Sequence, residues 1–96
     1  MFSRFSRVDD NQREIVSTFR KHGATVISLA ALGKGVPDLC VGYRERNYLV
    51  EVKTRTGKLN TLQQDWHQAW SGQVCVVRSS DDAHKFLYSL HEKGDQ

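Results

Sequence analysis

VPDLCVGYRERNYLVEVK, residues 36–53, contains two short apolar runs joined by a charged turn. In the first run, Leu39, Val41 and Tyr43 alternate with other residues, which is typical of a β-strand with one core-facing side. The second run, Asn47–Lys53, is rich in β-branched and aromatic residues and predicts another strand. A turn around Arg44–Arg46 would pair the two strands as a hairpin, and the rest of the fold is predicted to form around it.

Charged residues stand at the end of this hairpin. Side chains alternate along a strand, so Glu51 and Lys53 share one face of the sheet. Pairing of the strands brings Asp38 level with that charged end. Two carboxylates and an ammonium at one edge of a small sheet are costly unless a cation or a phosphate is bound there. The hairpin therefore predicts an ion-binding or phosphate-binding site.

The remaining elements are predicted from hydrophobic periodicity and from capping signals. They are a helix from Asp9 or Asp10 to about His22, a strand at Ala24–Leu29, a loop at Ala30–Val36, a helix from Thr61 to Ser71-Gly72, a strand at Val74–Val77, and a helix from Ser79 or Ser80 to Leu90. The order α-β-β-β-α-β-α predicts an α/β fold, a four-stranded mixed sheet flanked by helices. We expect one domain over residues 1–96, with an N-terminal arm at 1–8 and a frayed tail at 93–96.

Two further expectations concern the second half of the chain. The helix from Thr61 shows the capping-box pattern Thr-x-x-Gln, in which Gln64 folds back onto the Thr61 backbone. Its apolar residues recur at the spacing of one buried stripe, namely Leu62, Trp66, Ala69 and Trp70. The run Val74–Val77 is continuously apolar and is therefore predicted to be central in the sheet.

Composition narrows the function classes. The formal net charge is +3, and basic residues flank the hairpin end at Lys34, Arg55 and Lys58. Further arginines crowd the amino terminus, at Arg4, Arg7 and Arg13. A basic rim around an acidic centre suits a nucleic-acid backbone that is brought to a metal ion. No apolar run approaches the ~18 residues of a membrane span, and no phosphate-loop pattern is present, so we expect a cytoplasmic protein without a nucleotide cofactor.

Together these residues resemble a known family. Pro37-Asp38, followed after twelve residues by Glu51-Val52-Lys53, is similar to the motif of the PD-(D/E)xK nuclease superfamily. A helix carrying Glu14 precedes it and a helix carrying Gln64 follows it. Within that superfamily the chain looks most like the small virus-type replication-repair nuclease (VRR-NUC) domains of phages and bacteria, and more distantly like Holliday-junction resolvases.

The resemblance implies a restriction-endonuclease-like fold and a set of site residues. Asp38 and Glu51 would bind Mg²⁺ or Mn²⁺ together with the Val52 carbonyl, and Lys53 would serve the attacking water. Glu14 would help at the metal, directly or through a water, and Gln64 would support the site. For Gln64 the capping role is an equal alternative, and for Glu14 the alternative is a solvated helix face.

Two functions follow as hypotheses. One is a metal-dependent DNA endonuclease, a homodimer acting on branched, flapped or junction DNA in a bacterial or phage-infected cell. The other is a catalytically inactive nucleic-acid-binding or assembly protein on the same fold. The Trp66 and Trp70 rings are interpreted as core or dimer contacts in preference to base-stacking surfaces, and the four histidines show no shared ligand spacing.

Overall fold

The computed structural model describes the backbone of residues 3–94 and the side chains of residues 10–91. Its elements are α1 (Ser3–Lys21), β1 (Thr25–Ser28), a 3₁₀ turn (Ala30–Leu32), β2 (Leu39–Tyr43), β3 (Arg46–Val52), α2 (Thr61–Ala69), β4 (Val74–Val77) and α3 (Ser80–Gly94). The sheet has the order β1-β2-β3-β4, with the first three strands antiparallel and β4 parallel to β3. The predicted element order and the mixed four-stranded sheet are confirmed.

The hairpin of β2 and β3 closes through a two-residue turn. Tyr43 lies opposite Arg46, which leaves Arg44 and Glu45 as the turn residues. Both have positive φ, +54° and +68°. A two-residue turn with two positive φ values matches the right-handed twist of the flanking strands, so it sets the register of the whole hairpin.

Helices cover both faces of the sheet. Ile15 and Phe19 of α1 and Leu87 of α3 pack with Val50 and other strand residues in one buried cluster. Glu51 alternates with Val50 and therefore points to the opposite face, where α2 contacts it. The fold is thus a three-layer arrangement in which α2 alone covers the face that carries Glu51.

The first helix differs from its prediction at its start. Residues 3–8, expected to form an arm, belong to α1, whereas Met1 and Phe2 lie outside the described residues. The acids at Asp9 and Asp10 resemble a helix cap, but the helix continues through them. Gly23 ends the helix as predicted, with φ +95°. The N–H groups of Gly23 and Ala24 donate to the carbonyls of Arg20 and Phe19, the two bonds of a Schellman motif.

At the other end of the chain, Lys93 and Gly94 still belong to α3. Fraying was predicted from residue 93 onward, and residues 95–96 lie outside the described part. The α3 cap is confirmed, because Ser79 Oγ accepts the Asp82 N–H at 3.0 Å. None of the helices in residues 3–94 combines the length and the apolar character that a membrane crossing requires.

Two expectations about packing are wrong. The strand β4 lies at an edge of the sheet, not at its centre. The α2 stripe is not buried: Leu62 is 56% exposed and Trp70 45% exposed, and α2 contains no buried residue. The half-buried residues of α2 are Gln63, Trp66 and His67, and two of them contact Glu51, so the predicted stripe is turned partly away from the sheet.

Candidate active site

Asp38 lies immediately before β2, and hydrogen bonds on both sides hold it there. Its carbonyl oxygen accepts the Leu29 N–H at 2.7 Å. Its Oδ2 accepts the Val52 N–H at 2.8 Å across the hairpin. The side chain of the preceding Pro37 is fully buried, which limits the freedom of the backbone at this point. The Asp38 carboxylate is therefore fixed beside the end of β3.

Glu51 is the one buried charged residue among the described side chains, with 1% exposure. Its Oε2 accepts a hydrogen bond from Gln63 Nε2 at 3.3 Å, and its Oε1 lies 3.4 Å from His67 Nε2. Burial, followed by the hydrogen bond and the negative charge of the Asp38 carboxyl, raises the pKa of Glu51 from 4.5 to about 8, against the opposing charge of Lys53. Two carboxyl groups thus lie close together, and added positive charge would favour ionisation of both.

Lys53 directly follows β3 and lies on the same face as Glu51. Its N–H donates to the Val77 carbonyl at 3.1 Å, and its carbonyl accepts from Asn11 Nδ2 at 3.0 Å. Its Cδ would lie 3.6 Å from a Cβ placed on Gly57, so the following loop packs along the lysine stem. The main chain of Lys53 is anchored, and its ammonium acts electrostatically on Glu51.

Arg78 and Asn11, which the sequence reasoning did not select, hold the loop that follows Lys53. Arg78 Nη1 donates to the carbonyls of Thr54 at 2.8 Å and Gly57 at 2.6 Å. A longer contact of 3.4 Å reaches the Arg55 carbonyl. Asn11 Nδ2 bridges the Lys53 carbonyl and the Arg78 carbonyl, the latter at 3.3 Å. A signal for Asn11 was present, since it shares a polar helical stripe with Glu14.

The glutamine that contacts Glu51 is Gln63, not Gln64. Asn60 is the N-cap of α2, and it forms the capping box with Gln63: the Asn60 side chain accepts the Gln63 N–H at 2.8 Å, and Gln63 Oε1 accepts the Asn60 N–H at 2.9 Å. Gln63 Nε2 remains free to reach Glu51. Gln64 Nε2 instead donates to the Leu59 carbonyl at 3.0 Å. The predicted Thr61 and Gln64 box was one residue late, and one residue rotates a helical side chain by about 100°.

Glu14 is exposed on α1, and no hydrogen bond or ion pair among the described side chains joins it to Asp38 or Glu51. The contact from this helix to the end of β3 is made by Asn11, one turn earlier. The structure therefore brings Asp38, Glu51 and Lys53 together and leaves Glu14 at the periphery.

His67 is a site residue that the sequence reasoning missed. It lies one turn after Gln63, so both side chains descend from α2 onto Glu51. Burial, with a smaller effect from the charge of Lys53, lowers the pKa of His67. A Gln-x-x-x-His spacing on a helix facing an acidic strand was the available signal.

The predicted phosphate contacts fall into two groups. Lys34, Arg55 and Lys58 are exposed on the loops that precede Asp38 and follow Lys53. Arg13 pairs with Asp10 at 2.6 Å and lies with Arg20 and Lys21 on an open surface of α1. The side chains of Arg4 and Arg7 lie outside the described ones.

The donor set fits a hard divalent cation. Mg²⁺ and Mn²⁺ prefer carboxylate, carbonyl and water oxygens. Asp38, Glu51 and the adjacent Val52 carbonyl provide such atoms at the end of β3. Across residues 10–91 no group of three or more His, Cys, Asp or Glu side chains is arranged to hold a metal.

Comparisons with known proteins agree with this fold. The family model of the VRR-NUC domain matches residues 2–80. A solved structure described as a VRR_NUC domain is similar to the chain with a TM-score of 0.72 and 28% identity, covering 84% of this chain and 94% of that one. No curated protein sequence matches the chain significantly.

Proposed function

Because the chain belongs to the VRR-NUC domain family, we propose that it is a metal-dependent endonuclease that hydrolyses phosphodiester bonds in DNA. The observation that carries the proposal is the pairing of Asp38 with the buried Glu51, with Lys53 on the same face. A binding protein needs no such pair, since two adjacent acids repel a phosphate backbone unless a cation lies between them.

Asp38, Glu51 and the Val52 carbonyl would hold Mg²⁺ or Mn²⁺. When bound, such a cation lowers the pKa of a coordinated water and neutralises charge that develops on the phosphate. Gln63 keeps the Glu51 carboxylate oriented by its hydrogen bond. Lys53, anchored through its main chain, orients the attacking water or stabilises charge on the scissile phosphate. Glu14 stays in the proposal only as a contributor through water.

The exposed cations supply the remaining contacts. Lys34, Arg55 and Lys58 lie on the two loops that border the carboxylates, where they would bind phosphates on either side of the scissile bond. Such contacts position a strand without reading its sequence. Affinity for DNA should therefore fall steeply with salt.

We extend the proposal to a homodimer acting on branched, flapped or junction DNA. Leu32 and Leu62 are 59% and 56% exposed. The loop that follows Leu32 packs on Leu62, since a Cβ on Gly35 would be 3.3 Å from Leu62 Cγ. We take these two exposed apolar side chains as the contact between the copies. Two copies would present two cation sites, one for each of two strands.

The test is a cleavage assay on linear, nicked, flapped and four-way DNA, and on single-stranded RNA, with Mg²⁺, Mn²⁺ or chelator. We expect cleavage that chelator abolishes and that Asp38→Asn or Lys53→Ala reduces by at least about a hundredfold, since each removes a charge from the reacting centre. Asp65→Asn and Lys85→Ala are matched controls on exposed helix surface and should cleave normally. Wild-type protein that binds these nucleic acids but cuts none of them would favour the inactive binding protein.

A further inference from the structure

A second concave feature lies beside the carboxylates. A cavity of about 360 Å³ opens between the end of α2 and the start of β4, with aromatic rings from Tyr48, Trp70 and Phe86 in its lining. Its volume is within the range of ~300–1,000 Å³ that is usual for small-ligand sites. Leu49, Val74 and Cys75 add apolar surface. The cavity suits a flat, partly apolar ligand.

Trp70 is both accessible and held in place. Its indole stacks on Trp66, with ring centroids 4.7 Å apart and planes within 18°. A Cβ on Gly72 would lie only 2.8 Å from Trp70 Nε1, so the chain passes close beside the ring at a position that needs glycine. The side chain is nevertheless 45% exposed. An aromatic ring that is exposed but immobilised loses little entropy when a second ring stacks on it.

The cavity is joined to the carboxylate site by one side chain. His67 lines the cavity, and its Nε2 lies 3.4 Å from Glu51 Oε1. In a nucleotide, one sugar separates the base from the phosphate. A phosphate held at Asp38 and Glu51 would therefore place the base of an adjoining nucleotide near this cavity.

We propose that this cavity binds the base of an unpaired nucleotide next to the scissile phosphate. The inference rests on the proposed nuclease function for the position of that phosphate, while the base binding itself rests on the cavity. A base within a duplex would first have to leave its stack at a cost in free energy, so the preferred substrate class is DNA with an unpaired nucleotide at the cleavage site. Stacking on aromatic rings accepts any base, because every base has a π-face.

Intrinsic fluorescence provides a direct readout, since the two tryptophans of the chain are Trp66 and Trp70. Short oligothymidylate and an abasic oligomer of equal length and charge would be titrated with Ca²⁺ present, and cleavage followed in parallel on gels. We expect oligothymidylate to quench the fluorescence, and the abasic oligomer to bind roughly ten- to a hundredfold more weakly without quenching, as expected for loss of one stacked base. The other three bases should behave like thymine.

Variants separate stacking from a structural effect. Trp70→Ala should remove the preference for oligothymidylate, and Trp70→Phe should restore most of it. Gly72→Ala would displace the Trp70 ring without removing it. This variant replaces Trp70→Ala in the test if Trp70→Ala fails to fold, and it should also weaken the preference for oligothymidylate. Tyr88→Ala, on an exposed aromatic residue outside the cavity, is the matched control and should keep the preference.

Equal binding of the base-containing and abasic oligomers would overturn the proposal, whether or not the protein cleaves DNA. A fluorescence change that follows protein concentration and ignores DNA would also overturn it, because Trp70 would then lie between two copies of the chain. Base-dependent quenching without cleavage of any substrate would support base binding and contradict the nuclease activity.

Discussion

At the scale of single residues, Gln63 is proposed to fix the orientation of the Glu51 carboxyl group through a hydrogen bond. The Oε1 atom of its amide accepts the Asn60 N–H in the helix cap, and the Nε2 atom donates to Glu51. Gln63→Ala should lower kcat for DNA cleavage by about ten- to a hundredfold, the usual cost of losing a residue that orients a metal ligand. Steady-state kinetics at saturating Mg²⁺ would measure this.

The adjacent glutamine provides the control for that measurement. Gln64 is exposed and donates to the Leu59 carbonyl. Gln64→Ala should retain nearly full activity. If Gln64→Ala were the damaging change and Gln63→Ala the harmless one, the assignment of the supporting glutamine would be wrong.

Glu51 also gives the metal-free protein a characteristic pH dependence. Folding raises its pKa from 4.5 to about 8, so in that interval the folded state binds more protons than the unfolded state. Stability should therefore fall as the pH rises from about 4.5 to about 8, with a slope of at most about 1.4 kcal/mol per pH unit from this group. Urea denaturation in chelator across that interval is the measurement.

Glu51→Gln isolates the contribution of this residue. The amide does not titrate, so its stability curve should be flatter than that of the wild type over the same interval. Added Mg²⁺ should stabilise the wild type most at the alkaline end, where the carboxylate is ionised. A wild-type curve that stays level in chelator would contradict the proposed protonation of Glu51.

At the scale of elements, the residue that follows β4 supports the loop that carries Arg55 and Lys58, two of the cations proposed to bind phosphate. One guanidinium, that of Arg78, donates to carbonyls of Thr54 and Gly57. Arg78→Ala should cost about 2–3 kcal/mol of unfolding free energy, because it removes charged hydrogen bonds and leaves partly buried carbonyls without a partner. DNA affinity should fall as well, since Arg55 lies on this loop.

Two substitutions calibrate this loss. Arg78→Lys keeps the charge but cannot span the carbonyls, so its stability should lie between the wild type and Arg78→Ala. Arg13→Ala removes an exposed arginine with one surface ion pair and should change stability by less than about 0.5 kcal/mol. Chemical denaturation gives all three values, and equal losses in Arg13→Ala and Arg78→Ala would refute the supporting role.

At the scale of the whole molecule, the proposed dimer can be measured in solution. Sedimentation equilibrium should give twice the chain mass of 11.0 kDa. Leu62→Lys should weaken the dimer at least about tenfold, because it places a charge on each copy in an apolar contact. Tyr88→Lys alters a similarly exposed residue on α3 and should leave the mass unchanged. A wild-type mass equal to that of one chain would exclude the dimer.

Local sequence patterns were sufficient for the elements and for the hairpin, but not for what surrounds them. The alternation in β2 and the acids flanking the hairpin are local, and they predicted the approach of Asp38 to β3. The start of α2 was predicted one residue late, because Asn60 and Thr61 are both good N-cap residues. Local sequence does not distinguish them, whereas the contact of Gln63 with Glu51 fits only the cap at Asn60. The side that α2 turns to the sheet and the edge position of β4 depend on contacts between distant parts of the chain, which periodicity does not contain.

The parallel pairing of β3 and β4 has a consequence for how such a chain can change in evolution. Parallel neighbours require a crossover, and α2 is that crossover. The helix that carries Gln63 and His67 is therefore also part of the connection that places β4 beside β3. A related chain without nuclease activity could therefore replace both side chains, but it would still need a crossover between β3 and β4.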